Sequence, residues 1–201
     1  MSSQEIVGVI LAGGASSRFG GRDKALIPYR GKPLLEWSVA AIGPQVRTLA
    51  INTNGDPLEF EAFGCVIVGD RTATAPHERE GPLRGIEAAL DWTARTHPGA
   101  LCFTAPVDMP DLPHDIVHHL FIALSGTDAL AAFVTGPMGD QPLIALWRQE
   151  ALALILSALE RGERSVRRVL ASIGALPVED TRNASRYRNI NAAVDLERQD
   201  G

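Results

Sequence analysis

An α/β fold with a mostly parallel central sheet is predicted by two features of the sequence. Apolar, strand-like runs alternate with segments of helical periodicity along the chain. An apolar, β-branched run at residues 6–10 leads directly into a glycine-rich turn, as is typical of the first strand of a buried parallel sheet. Folds of this kind bind ligands at the carboxyl ends of their strands. We therefore expect the functional residues in the segments that follow the strands.

The composition limits the classes of function. Of the 201 residues, 45% are hydrophobic and 21% are charged, which predicts one globular domain over residues 1–201. The net charge of −5 argues against a nucleic-acid partner. Neither a membrane span nor a signal peptide is evident. Cys65 and Cys102 lie in separate apolar runs and are expected to be buried thiols, which favours a cytoplasmic location.

Residues 11–24, LAGGASSRFGGRDK, are the most informative stretch. Gly13 and Gly14 allow the main chain to approach a ligand closely and to adopt positive φ without steric cost. The basic side chains of the stretch are Arg18, Arg22 and Lys24. Glycines and cations together predict a loop that binds a polyphosphate. Its spacing matches neither the Walker A loop nor the dinucleotide-binding fingerprint.

The remaining elements alternate as the fold class requires. Strands are predicted at residues 47–51, 65–68, 100–105, 129–134, 142–147 and 175–178, and helices at 33–41, 58–63, 81–96, 115–124, 149–160 and 165–172. Pro33 and Pro82 suit the first turn of a helix, and Ser165 is a candidate N-cap. The polar residues 71–80 suit a surface loop, and a short helix is expected at the end of the chain.

One acidic residue is held rigidly at a predicted strand end. Asp108 follows the strand at 100–105 and stands between Pro106 and Pro110, which restrict the backbone on both sides. A Mg²⁺ ion bound to substrate phosphates typically needs only one or two protein carboxylates. Asp108 is therefore the predicted metal ligand.

Several short motifs occur in a fixed order along nearly the whole chain. They are LAGG at 11–14, Arg18, GG at 20–21, DK at 23–24, GKPL at 31–34, GPL at 81–83, VDMP at 107–110 and NIN at 189–191. This ordered set resembles the molybdenum cofactor guanylyltransferases, the MobA family of nucleotidyltransferases. The resemblance implies a Rossmann-like three-layer α/β/α fold. It also implies that GMP is transferred from GTP to molybdenum-bound molybdopterin, with release of pyrophosphate.

The resemblance also implies roles for individual residues. The residues expected to bind the nucleotide are Leu11, Ala12, Gly13, Gly14, Lys24, Asn52, Asp70, Pro82, Leu83 and Asp108. Asn52 and Asp70 match positions that hold base and ribose, whereas Asn189 and Asn191 match the pair on the pterin side.

Elementary chemistry agrees with this reaction. The terminal phosphate of molybdopterin is already a nucleophile, so the site must mainly bring two polyanions together and stabilise charge. We therefore assign charge neutralisation to Lys24 and Arg18, and Mg²⁺ binding to Asp108. No protein general base is proposed.

Other functions are consistent with the same residues. The chain could be a cytidylyltransferase for the same cofactor or for a sugar or alcohol phosphate. A different class is a non-catalytic carrier of nucleotide or cofactor. Molybdoenzyme maturation proteins are candidate partners.

Some of the singled-out residues also have other possible roles. Asn189 and Asn191 could cap the last helix and not contact the pterin. His114 and His118, four residues apart, could bind zinc, although a solvated helix face explains them better.

Overall fold

A computed structural model describes residues 4–13, 23–70, 81–181 and 186–190. In chain order its strands and α-helices are β1 (Ile6–Leu11), β2 (Pro28–Tyr29), β3 (Lys32–Pro33), α1 (Leu34–Ile42), β4 (Thr48–Asn52), β5 (Val66–Val68), α2 (Pro82–Thr96), β6 (Leu101–Pro106), α3 (Ile116–Leu124), β7 (Ala131–Thr135), β8 (Gln141–Trp147), α4 (Ala151–Glu160), α5 (Val166–Ser172) and β9 (Leu176–Glu179). Short 3₁₀ helices span Lys24–Leu26, Gly43–Gln45 and Pro57–Phe63.

The main sheet has seven strands in the order β5-β4-β1-β6-β8-β7-β9. Strand β1 pairs in parallel with β4 and β6, and β4 pairs in parallel with β5. Strand β8 is antiparallel to both of its neighbours, while β7 and β9 are parallel to each other. Within the described residues, β8 is thus the one strand of this sheet that runs against the rest.

The chain order places a switch point at the centre of this sheet. From β1 the chain proceeds to β4 and β5 on one side, and after α2 it returns to form β6 on the other side of β1. The connections therefore diverge at the carboxyl ends of β1 and β6. In open α/β sheets a crevice for ligands forms at this position.

Helices cover both faces of the sheet and bury two apolar layers. On one face, α1 and α3 pack over inward-facing residues that include Ile10, Phe103 and Leu146. On the other face, α2, α4 and α5 pack over Val9 and Trp147, among others. Because successive side chains of a strand point to opposite faces of the sheet, each central strand contributes residues to both apolar layers. The predicted three-layer α/β/α architecture is confirmed.

Most predicted elements occur within one or two residues of their expected bounds. Two differ in kind or position, and one element was not predicted. The helix expected at 58–63 is a 3₁₀ helix, and residues 28–33 form the small β2–β3 hairpin, for which no strand was predicted. Pro33 precedes α1 as its N-cap instead of opening it. The predicted N-cap Ser165 is confirmed, since its side chain accepts a 3.3 Å hydrogen bond from the Arg168 amide.

Two further expectations concern thiols and membranes. Cys65 and Cys102 are both free. The prediction of a buried thiol is confirmed for Cys102, which is fully buried, and is wrong for Cys65, which is partly exposed. Among the described residues, no helix has the length and apolar character needed to cross a bilayer. The predicted loop at 71–80 and the last helix lie outside the described residues.

Candidate functional site

The end of β1 is held against the end of β4 by main-chain hydrogen bonds. The amides of Ala12 and Gly13 both donate to the carbonyl oxygen of Asn52, at 2.8 and 3.1 Å. Ala12 is buried and Gly13 is exposed at the sheet edge. The predicted nucleotide loop therefore starts from a fixed position at the switch point. Gly14 and Arg18 lie outside the described residues.

Two asparagines and one aspartate form a hydrogen-bonded cluster beyond β4 and β5. The Asn52 side-chain amide donates to Oδ1 of Asp70 at 2.9 Å and to the carbonyl oxygen of Val68 at 3.1 Å. Asn54 Nδ2 donates to the other Asp70 oxygen at 2.8 Å, while the Asp70 amide donates to Asn54 Oδ1 at 3.0 Å. The structure thus brings together Asn52 and Asp70, and each Asp70 carboxylate oxygen accepts from an asparagine.

Helix α2 passes directly over Asn52, and a glycine makes this possible. A Cβ atom placed on Gly85 would lie 2.5 Å from Asn52 Oδ1 and 3.3 Å from Leu11 Cδ2. Only a residue without a side chain therefore fits at this point of the helix. Gly85 was not among the predicted site residues. A glycine within a helical pattern was the signal that could have identified it.

The start of α2 contributes two residues of the predicted nucleotide site. Pro82 is exposed at the first position of the helix. The Leu83 side chain is fully buried in the core beneath α2. Only the main chain of Leu83 is therefore left to face a ligand at the sheet edge.

A lysine and an aspartate meet at the switch point. Lys24 Nζ donates to Oδ2 of Asp108 at 2.7 Å, although the residues are 84 positions apart in sequence. Their side chains are 19% and 20% exposed, so the pair is reachable from solvent but largely shielded from it. Lys24 lies in the 3₁₀ helix after the glycine-rich loop, and Asp108 follows β6. Two residues that the sequence predicted separately, Lys24 and Asp108, therefore form one ion pair.

Asp23 fixes the position of Lys24. It is the N-cap of the 3₁₀ helix Lys24–Leu26, and its Oδ1 accepts a 2.9 Å hydrogen bond from the Ala25 amide. Burial raises the pKa of the Asp23 carboxyl above its usual value, and the charge of nearby Glu59 raises it further, while the Ala25 hydrogen bond opposes the shift.

The segment 186–190 places Asn189 beside Asp108. The amide of Ile190 donates to the main-chain carbonyl of Asp108 at 2.8 Å. Ile190 is buried and Asn189, the preceding residue, is exposed. Asn189 therefore lies on the β6 side of the switch point, away from the Asn52 cluster. Asn191 lies outside the described residues.

The Asp108 carboxylate is the group that fits a divalent cation. Among the described residues, no group of three or more His, Cys, Asp or Glu side chains is arranged to hold a metal. A hard cation that arrives with nucleotide phosphates needs only one or two protein carboxylates, so a single carboxylate suits it. The zinc hypothesis finds no such support, since His114 precedes α3 and both His114 and His118 are exposed.

Taken together, the fold and this edge define a class of protein. A mostly parallel α/β sheet whose first strand leads into a glycine-rich stretch, with a cation and a carboxylate at its switch point, is typical of proteins that bind phosphorylated ligands. Comparison with known proteins agrees: the chain belongs to the family of MobA-like NTP transferase domains, which matches residues 8–178.

Individual relatives are similar over nearly their full length. A molybdenum cofactor guanylyltransferase from Cereibacter sphaeroides is 36% identical over 197 residues, with 96% of this chain and 94% of the relative covered. A protein of the same name from Nitrobacter hamburgensis is 34% identical over 203 residues, with 96% and 95% covered. The predicted family resemblance and nucleotidyltransferase class are confirmed.

Among solved structures, the fold resembles the molybdopterin-guanine dinucleotide biosynthesis protein A of Archaeoglobus fulgidus. The TM-score is 0.75, with 96% of this chain and 95% of that protein covered. At 22% identity this similarity supports the fold alone.

Proposed function

We propose that this chain transfers GMP from GTP to molybdenum-molybdopterin, giving the guanine dinucleotide form of the cofactor and pyrophosphate. The Lys24–Asp108 pair at the switch point carries the proposal, because it places a cation and a carboxylate where two phosphorylated substrates would meet. The relatives named molybdenum cofactor guanylyltransferase support the choice of substrates.

The two substrates would occupy opposite sides of the pair. On the β4–β5 side, main-chain groups at residues 11–14 would surround the nucleotide, and Asn52 with Asp70 would contact base and ribose. Pro82 and the main chain of Leu83 would border the nucleoside. On the β6 side, Asn189 and Asn191 would contact the pterin substrate. The separation of Asn52 from Asn189 across β1 and β6 supports this division.

The reaction is a substitution at the α-phosphorus of GTP. An oxygen of the molybdopterin phosphate forms a bond to that phosphorus, and the bond from the α-phosphorus to the oxygen bridging to the β-phosphate breaks. Pyrophosphate leaves with the electron pair of this bond. The attacking oxygen is already ionised at neutral pH, so no side chain has to accept a proton. Lys24 and Arg18 are therefore assigned to neutralising the charge of the transferred and departing phosphates.

We propose Mg²⁺ as the cofactor, with Asp108 as its protein ligand. When bound, the ion supplies positive charge to the phosphate oxygens. Lys24 shares Asp108, so its ammonium group orients the carboxylate and adds a second positive charge to the same place. The carboxylate chemistry of Asp108 supports Mg²⁺ over softer metals.

We further propose that residues 1–201 act as one nucleotidyltransferase domain in the cytoplasm and that the product passes to molybdoenzyme maturation proteins. The seven-stranded sheet, which is continuous from β5 at one edge to β9 at the other, supports a single domain. The free thiols of Cys65 and Cys102 are consistent with a reducing compartment.

Mass spectrometry of the product tests the proposal against its alternatives. The protein is incubated with Mg²⁺, molybdenum-loaded molybdopterin and an equimolar mixture of GTP and CTP. We expect the guanine dinucleotide. The cytosine dinucleotide would assign the chain to the cytidylyl branch. Bound GTP without any dinucleotide would instead favour a carrier.

A further inference from the structure

A buried hydrogen bond links the end of β9 to the segment that carries Asn189. The Tyr187 hydroxyl donates to Oδ2 of Asp180 at 2.8 Å, and the two residues are only 5% and 1% exposed. Asp180 directly follows β9, and its amide donates to the carbonyl oxygen of Thr135 at 2.9 Å. Asp180, whose carboxylate accepts the hydrogen bond from the tyrosine hydroxyl, is therefore fixed to the sheet through its main chain.

The other end of the same segment is fixed beside Asp108. Ile190 packs with Ile27 and Leu34 near the β2–β3 hairpin, and its amide donates to the Asp108 carbonyl at 2.8 Å. Tyr187 and Ile190 are thus two anchors three residues apart. The residues between them, Arg188 and Asn189, are exposed.

We propose that Tyr187 and Asp180 are positioning residues for the acceptor substrate. Their hydrogen bond sets the path of residues 187–190 and thereby the place of Asn189 next to Asp108. This inference rests on the proposed function, since it takes Asn189 to face the acceptor. The tyrosine ring packs in the core, but apolar packing is weakly directional, whereas a hydroxyl bonded to a carboxylate fixes the ring in one orientation.

The nucleotide half of the site is built on other elements. Apart from Lys24 and Asp108, which both substrates would share, its residues belong to β1, β4, α2 and the turns after β4 and β5. Loss of the Tyr187 hydroxyl is therefore expected to affect the acceptor and to leave GTP binding unchanged. A general loss of stability would affect both substrates, so the two Michaelis constants distinguish positioning from a structural role.

Tyr187→Phe tests this with a closely matched control. The variant keeps the buried ring and removes only the oxygen. We expect the KM for molybdenum-molybdopterin to rise about 5- to 10-fold, as for the loss of one hydrogen bond, with the KM for GTP unchanged. Tyr29→Phe is the control, because Tyr29 is the chain's one other tyrosine, is 1% exposed and has its hydroxyl 3.4 Å from Asp111. It should leave both constants unchanged.

A second variant asks whether the two residues act through the same bond. Asp180→Ala should raise the KM for the acceptor at least as much as Tyr187→Phe. Adding Tyr187→Phe to Asp180→Ala should raise it no further, since the bond is already lost. Independent, multiplying effects of the two substitutions would overturn the proposed coupling.

Hydrogen–deuterium exchange gives a readout that does not depend on turnover. Tyr187→Phe should accelerate exchange in peptides that contain the Ile190 amide, while peptides from β1 exchange as in the wild type. Unchanged exchange and an unchanged acceptor KM would overturn the positioning role and leave the proposed function intact. A wild-type protein without any transferase activity would overturn the proposed function. Exchange would then still decide whether Tyr187 anchors the segment.

Discussion

Lys24 Nζ lies 2.7 Å from Asp108 Oδ2, across the carboxyl ends of the two central strands β1 and β6. Each residue is positioned by its own element, Lys24 by a capped 3₁₀ helix and Asp108 by the turn after β6. Because the pair retains partial exposure, phosphate groups can reach both charges. Lys24, the predicted phosphate contact, and Asp108, the predicted metal ligand, therefore lie next to each other.

Removal of the lysine should impair the reaction far more than the fold. We expect Lys24→Ala to lower kcat/KM for GTP by about 10²- to 10³-fold, since a positive charge aimed at the reacting phosphates is lost. The free energy of unfolding should fall by about 1–3 kcal/mol, because removal of the lysine leaves the largely shielded Asp108 carboxylate without this ion pair. Lys32→Ala is the control, because Lys32 forms a 2.6 Å pair with Glu36 on the surface. Equal kinetics in the two variants would contradict the role of Lys24.

Gly85→Ala should disturb Asn52. An alanine normally stabilises a helix by about 1 kcal/mol relative to glycine, yet here its Cβ would lie 2.5 Å from Asn52 Oδ1. Asn52 cannot move away without loss of its hydrogen bonds to Asp70 and Val68. We expect a net destabilisation of about 1–3 kcal/mol in chemical denaturation and a higher KM for GTP.

The Asn52→Ala background is the control for the Gly85 prediction. Without the Asn52 amide, the added methyl group has space, so Gly85→Ala should no longer destabilise the protein. The same destabilisation in both backgrounds would show that the glycine serves another purpose.

The raised pKa of Asp23 predicts a pH-dependent stability difference. The folded protein holds the Asp23 proton more tightly than the unfolded chain, whose value is near 3.8. This residue's contribution to stability is therefore full below pH 3.8 and is lost as the pH rises through the folded pKa. Asp23→Asn keeps an oxygen that can accept from the Ala25 amide but cannot ionise.

Urea denaturation across pH measures this effect. The stability of Asp23→Asn relative to wild type should increase from pH 3 towards neutral pH. Parallel stability curves for the two proteins would contradict the burial of an ionisable Asp23.

Cys102 should be inert in the folded protein. Burial raises the pKa of its thiol to about 12, and the thiolate is the reactive form. At pH 8, iodoacetamide should therefore modify the partly exposed Cys65 first, and Cys102 only after denaturation. Peptide mass mapping separates the two sites. Equal rates of labelling in the native state would contradict the position of Cys102 in the core.

Local patterns were enough to predict most of the elements and the strand-end position of Asp108. An apolar run followed by Gly13 predicts a strand and a ligand-binding turn from neighbouring residues alone. Ser165 predicts a helix start in the same way, because its hydroxyl satisfies an amide three residues away. The order of the strands and the direction of β8 required the structure.

Contacts between distant residues could not be predicted from local patterns. Lys24 and Asp108 were each identified, but nothing in a local pattern pairs side chains 84 positions apart. Likewise, Gly85 is required by the position of Asn52 on another element. The Tyr187–Asp180 bond depends on how the chain returns to the sheet after β9, which periodicity does not specify.

Pyrophosphate release from GTP tests the central claim most directly. The wild type, Lys24→Ala and Asp108→Ala are assayed with Mg²⁺ and molybdenum-loaded molybdopterin, and GTP binding is measured in parallel. We predict release by the wild type that depends on both substrates, together with loss of release in both variants and retained GTP binding in Asp108→Ala. Wild-type release that persists undiminished in both variants would contradict the assignment of the Lys24–Asp108 pair as the reaction centre.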